Sequence, residues 1–248
     1  MGRWTWFHRL ASPPSCYQTA QTLKPWFWVP AVVLLCFGLG NGLYFAPKDY
    51  QQGDAYRIIY IHAPCAWLSL LAFSTMAIAS AIGLIWRLKL AHALTSALAP
   101  LGAAFTLVCL VTGSLWGRPM WGAYWAWDAR LTSELILLFL YVGYMVLRAS
   151  FDDVDRADRT SAVLAVVGFV NVPIIHFSVN WWNSLHQGST VIRADGPAMP
   201  AAMLIPLLAC FVGFTCLMAY LACVRLRAEI LVRERRPSWL LTVDEHHE

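Results

Sequence analysis

Charge is scarce in this chain. Asp, Glu, Lys and Arg together make up 13% of its 248 residues, about half the ~25% of a soluble globular domain. Hydrophobic residues reach 59% and gather in long blocks, which excludes a soluble globular protein and an intrinsically disordered one. Paired cysteine motifs are missing too. The seven cysteines include no Cys-x-x-Cys, and Cys36, Cys65, Cys109, Cys210 and Cys216 lie inside apolar blocks. An odd number of such thiols argues against a disulfide scaffold or a zinc framework and leaves cysteine as a small hydrophobe. There is no P-loop, Gly-x-Ser-x-Gly or His-Glu-x-x-His motif and no soluble stretch long enough to fold alone. Nucleotide-driven catalysis within the chain is therefore not expected. No internal repeat of about 20–50 residues is present, and the first apolar block ends without a small-residue cleavage site, so it reads as a retained helix.

What is present is a set of six apolar blocks: Trp26–Ala46, Ile58–Trp86, Leu98–Gly117, Leu131–Leu147, Thr160–Trp182 and Pro197–Val224. Each meets or approaches the ~20 residues a helix needs to cross a hydrocarbon core about 30 Å thick. Only the fourth carries a charge, Glu134 near its start. Backbone groups in lipid must be paired within their own segment, so the predicted fold is an all-α integral membrane protein of six transmembrane helices. An even number of spans puts both termini on one side. With the termini cytoplasmic, thirteen of the eighteen Lys and Arg face inward, and Lys48, Arg57, Arg118, Arg130 and Arg193 face outward. That is the distribution the positive-inside rule asks for. The expected organisation is a cytoplasmic arm over 1–25, a six-helix membrane domain over 26–224 and a cytoplasmic tail over 225–248. The net charge of +4 is thus a topology signal and not a nucleic-acid surface.

Tryptophan is unevenly spread. Of thirteen, six (116, 121, 125, 127, 181 and 182) fall in or beside the last two outer loops. Scattered indoles at one depth form an ordinary interfacial belt, and Trp4, Trp6, Trp26, Trp28, Trp86 and Trp239 fit that reading. The outer loop between helices 3 and 4, Trp116–Thr132 (WGRPMWGAYWAWDARLT), does not. Its four Trp and one Tyr alternate with Gly117, Gly122, Ala123 and Ala126 and lead into Asp128 and Arg130. Pro119 suits the first turn of a short helix, and a helical Trp121–Asp128 would align Trp121, Trp125 and Asp128 on one face. Small spacers between large rings suit a platform for a flat apolar ligand.

Two histidines belong to the same face. His62 lies about one turn inside the outer end of span two, and His186 lies in the outer loop after span five. Pro64, which cannot donate to the carbonyl of Tyr60, predicts an opening of the helix beside His62. His176 follows Pro173 deeper in span five and is either a buried hydrogen-bonding group or a competing ligand. Paired imidazoles beside an aromatic platform suggest haem, a planar ring whose iron takes neutral imidazole. Its edge carboxylates would pair with arginine, for which Arg57 and Arg130 are the best placed and Arg118 and Arg193 weaker. Asp128 and Glu134 are expected to hold the loop, with Glu134 capping span four or pairing with Arg130.

At WGRPMWGAYWAWDARLT the chain resembles the tryptophan-rich "WWD" haem-handling proteins of cytochrome c biogenesis. With six spans and flanking His62 and His186, it is most similar to the cytochrome c maturation protein C (haem exporter protein C) family over roughly residues 25–225. The resemblance implies that loop 116–132 binds haem at the periplasmic face of a bacterial or organellar inner membrane. The haem would be b-type and non-covalent, with His62 and His186 as axial ligands. It also implies Trp116, Trp121, Trp125, Trp127 and Asp128 as the platform. The implied partners are a membrane-anchored periplasmic haem chaperone, a small one-span subunit and the membrane and ATPase subunits of an ABC transporter. The implied role is presentation of haem, without catalysis by the chain. Two other classes stay open on the residues: a haem-bearing electron-transfer subunit, and a transporter moving haem across the bilayer.

Overall fold

The computed structural model describes residues 12–188, 191 and 196–234. The expectations for 1–11, for 235–248 and for Arg193 fall outside the described residues. Within them the chain is helical, with one isolated bridge between Asp49 and Gly53. Helix α1 (Pro13–Gly40) runs into a π-helical turn, Asn41–Phe45. A 3-10 turn, Asp54–Ile58, leads into α2 (Ile59–Trp86). There follow α3 (Lys89–Trp121), α4 (Ala129–Ala149), α5 (Val154–Gly168), α6 (Asn171–Trp181) and α7 (Ala201–Glu234). Six helical segments are long and apolar enough to cross a membrane, the fifth formed by α5 and α6 together.

The helices outrun the apolar blocks. Proline at the first helical position suits a helix start, and α1 begins at Pro13, thirteen residues before Trp26. Helix α7 continues to Glu234. Parts of the two expected arms, 13–25 and 225–234, are therefore continuous with the first and last spans. At ~1.5 Å per residue the 34 residues of α7 extend about 51 Å, well beyond a hydrocarbon core of about 30 Å.

Proline acts where its lost bond falls. Helix α2 stays continuous through Pro64, so the expected opening does not interrupt it. The break comes in span five, between Gly168 and Asn171. There Pro173 has no N–H for the carbonyl of Phe169, and its ring crowds that carbonyl.

Helix α2 is the most enclosed element, packing against α3, α5 and α7, whereas α1 lies at the periphery along α7. The main core joins Leu68, Phe73 and Met76 of α2 to Phe105 of α3, Leu137 and Tyr141 of α4 and Ile175 of α6. Tyr141 is fully buried and donates its hydroxyl to the carbonyl of Ser69 at 2.7 Å. Its ring occupies the space a side chain at Gly102 would need. Gly102→Ala is therefore expected to destabilise by about 1–3 kcal/mol, as overpacking does. A thermal melt in detergent would show the drop, and an unchanged melting temperature would mean the ring has somewhere else to go.

At one end of the bundle, α4, α5 and α7 meet in an ion cluster. Asp158 of α5 is buried and takes Arg233 of α7 in a bidentate pair, at 2.6 and 3.0 Å. Arg148, at the end of α4, donates to the same carboxylate at 3.3 Å. The tryptophan loop and both candidate histidines sit at the opposite end.

Candidate functional site

Three segments converge at that opposite end. They are the 3-10 turn with the first turns of α2, the last turns of α3 with residues 122–128, and the non-helical segment 182–188 after α6. Helix α3 is longer than the block Leu98–Gly117 suggested, so Trp116, Trp121 and Pro119 all belong to its final turns. Gly122 ends it with φ 78°, a left-handed conformation that glycine adopts without a Cβ clash. The predicted short helix over Trp121–Asp128 is thus not formed. Trp125 and Trp127 follow in irregular backbone and meet edge to face at 5.6 Å.

His62 is buried against α3. Its Nδ1 lies 3.0 Å from the carbonyl of Cys109 and 3.1 Å from Thr112 Oγ1. The Thr112 hydroxyl in turn donates to the carbonyl of Val108 at 2.6 Å. Both neighbours of Nδ1 therefore accept, so that nitrogen carries the proton and Nε2 keeps the lone pair a metal would use. Gly113 leaves room for the ring, since a Cβ there would stand 3.0 Å from His62 Cε1. Trp116 meets the imidazole edge to face at 5.6 Å and meets Tyr56 likewise at 5.7 Å.

His186 stands opposite. Its ring centroid is 6.1 Å from that of His62, with the two planes 22° apart, and Trp121 packs on its other side at 6.2 Å. Burial, helped by the nearby Arg130 charge, pushes the His186 imidazole down to about 4. The ring is therefore neutral at pH 7, and its buried Nδ1 has no hydrogen-bond partner. Trp125 Nε1 is a second buried group without a partner. The two rings are thus near neighbours and close to parallel.

Asp128 holds the two outer segments together. One carboxylate oxygen accepts from the Arg130 amide at 2.8 Å and caps α4, as an Asp at this position commonly does. The other accepts from the Leu185 amide at 3.0 Å, one residue before His186. Burial disfavours the carboxylate, but hydrogen bonds from Ser184 and from the Arg130, Leu185 and Leu131 amides outweigh it and hold Asp128 below the usual carboxylate range. These bonds tie Asp128 to both outer segments. Glu134 neither caps α4 nor forms a salt bridge with Arg130 among the described residues. It accepts instead from Ser69 Oγ at 2.7 Å.

The two arginines differ. Arg57 donates through Nη1 to the carbonyls of Gly42 and Leu43, both at 3.1 Å, and through Nε to Asp54 at 3.1 Å. It thereby closes the end of the first span. Arg130 is half-buried, close enough for its charge to act on both imidazoles, and forms no salt bridge among the described residues. Trp127 is 79% exposed, and His176 is exposed on the outside of the bundle, edge to face with Phe177. Sequence reasoning missed Thr112, Gln52 and Gln187. Trp116 Nε1 donates to Gln52 Oε1 at 2.8 Å, and Gln52 Nε2 donates to Gln187 Oε1 at 3.1 Å. These three lie in separate outer segments, and no local pattern announces such a bridge.

A family model described as Heme exporter protein C matches residues 6–241. Heme exporter protein C of Escherichia coli (strain K12) is 49% identical over 237 residues, covering 96% of each chain. Heme exporter protein C of Bradyrhizobium diazoefficiens is 49% identical over 227 residues, 92% of this chain and 86% of its own. A mitochondrial cytochrome c biosynthesis protein of Marchantia polymorpha is 42% identical over 198 residues, 80% of this chain and 82% of its own.

Proposed function

The chain belongs to the Heme exporter protein C family, and on that premise we propose that it holds haem between His62 and His186 and presents it to a haem chaperone. The paired imidazoles carry this reading. Among the described residues no group of three or more His, Cys, Asp and Glu could hold a bare ion. Two neutral imidazoles facing one another instead suit a metal whose remaining positions a macrocycle fills. Haem supplies such an iron, in a flat apolar ring with carboxylates at one edge.

The chain's own residues then divide the work. His62 and His186 would hold the iron through their imidazole nitrogens and so would keep oxygen from it. Trp116, Trp121 and Trp125 form the shelf that lines the site and excludes water, and Trp127 extends it at the open rim, edge to face with Trp125. Asp128 keeps the His186 segment against that shelf. Arg130 pairs a propionate, and Arg57 reaches one through the Nη2 not engaged in its backbone bonds. The site faces the periplasm from the inner membrane, with the chain's ends in the cytoplasm. The relatives' name, heme exporter, supports a part in moving haem; the partners in this reading are a membrane-anchored chaperone that takes the haem, a one-span subunit and an ABC transporter.

The test is the visible spectrum of the detergent-purified full-length protein. It is expected to show low-spin bis-histidine haem, and His62→Ala and His186→Ala are each expected to abolish that signature. If both variants kept the parent spectrum, the axial assignment would fall.

A further inference from the structure

The two candidate ligands are mounted differently. His62 projects from a continuous helix of the core, and its ring is gripped: Nδ1 bonds the Cys109 carbonyl and Thr112 Oγ1, Trp116 closes one edge and Gly113 admits the ring. Displacing that nitrogen from a metal would mean breaking side-chain bonds to α3 or shifting α2. His186 sits in non-helical backbone, and its Nδ1 makes no hydrogen bond. Its segment is tied by neighbouring groups: the Leu185 amide to Asp128, the His186 amide to Ser184 Oγ at 3.0 Å, and the Gln187 side chain to Gln52. The ring itself is held by packing against Trp121 and not by a hydrogen bond at Nδ1.

We propose that the site is asymmetric by construction, with His62 the anchored ligand, its tautomer fixed by the Cys109 carbonyl, Thr112 the positioning residue that adds a second acceptor on Nδ1, and His186 the ligand that lets go at handover. This rests on the reading of both histidines as axial ligands. An acceptor on Nδ1 raises the basicity of the coordinating Nε2, and loss of such an outer partner typically weakens metal binding by about 10–100-fold. His62 therefore holds iron more strongly than His186, whose buried Nδ1 has no acceptor. Handover then proceeds with one imidazole swinging out on its segment while the other keeps the metal in place. An incoming ligand from the chaperone meets the vacated axial side.

The order can be read on the full-length protein purified with haem. His186→Ala is expected to keep haem in a mono-histidine form, and His62→Ala to retain at least tenfold less. Equal retention, or the reverse order, would overturn the asymmetry while leaving both residues as ligands. Unchanged bis-histidine spectra in both would remove the ligand assignment itself, and the asymmetry with it. Thr112→Val, which keeps the shape but removes the hydroxyl, is expected to speed haem loss to apomyoglobin about tenfold and to raise the midpoint potential. The higher potential follows because a less basic imidazole stabilises ferric iron less. Thr112→Ser is expected to restore both. A Thr112→Val protein with the parent potential, or one that serine does not rescue, would show that Thr112 only packs.

Discussion

Asp128→Ala is expected to cost the site its second histidine, moving most of the haem in purified material from the bis-histidine to the mono-histidine form. The carboxylate makes two separate connections. Losing the α4 cap costs about 0.5–2 kcal/mol, and losing a hydrogen bond from the Leu185 amide to a charged group costs about 1.5–3 kcal/mol. Either alone approaches the 1.4 kcal/mol that corresponds to a factor of ten in an equilibrium. The second falls on the segment that positions His186. Asp128→Asn keeps an oxygen for the cap but offers Leu185 an uncharged amide, so its bis-histidine fraction should lie between those of the alanine variant and the parent. The helical content should hardly change in either. Asp128→Ala protein with the parent bis-histidine spectrum would show that the Leu185 tether is dispensable.

The second large effect belongs to the other end of the bundle. Asp158→Ala removes a buried carboxylate that takes a bidentate Arg233 and a second bond from Arg148. Breaking a buried ion pair by deleting one partner typically costs about 3–5 kcal/mol, because the remaining charge is left without compensation. Glu229 lies 3.6 Å from both guanidinium groups and softens the loss, so about 3 kcal/mol is expected. For a chain of this size that is a fall of about 6–12 °C in melting temperature. The haem spectrum of protein that remains folded should match the parent, because no residue of the cluster reaches the tryptophan end. A melting temperature within about 2 °C of the parent would mean that Glu229 replaces Asp158 fully.

The six crossings were legible because lipid imposes a rule that hydropathy alone satisfies: long uncharged blocks must be helices. Their ends were not legible. Helix α3 runs on to Trp121 until Gly122 turns it, and α7 runs on to Glu234, because hydrogen-bonded helix does not stop where the hydrocarbon does. The histidine pair could be anticipated from topology, which put two imidazoles at one face. Their 6.1 Å spacing could not, since it depends on how α6 ends and how the next segment doubles back to Asp128. Arg57 shows the same limit. Its place beside His62 was visible in the chain, but its bonds to Gly42 and Leu43 depend on a π-helical turn that leaves those carbonyls open. Thr112 is one of many threonines on apolar helices, and only the meeting of α2 with α3 gives it a partner.

The glutamine relay through Gln52, Trp116 and Gln187 carries an implication for hybrid proteins. Each extramembrane segment contributes one link, so transplanting a single one from a relative would leave an amide or an indole facing a stranger. Chimeras that exchange all three segments as a set should assemble where one-at-a-time grafts do not, and the unit of inheritance at this face is the trio.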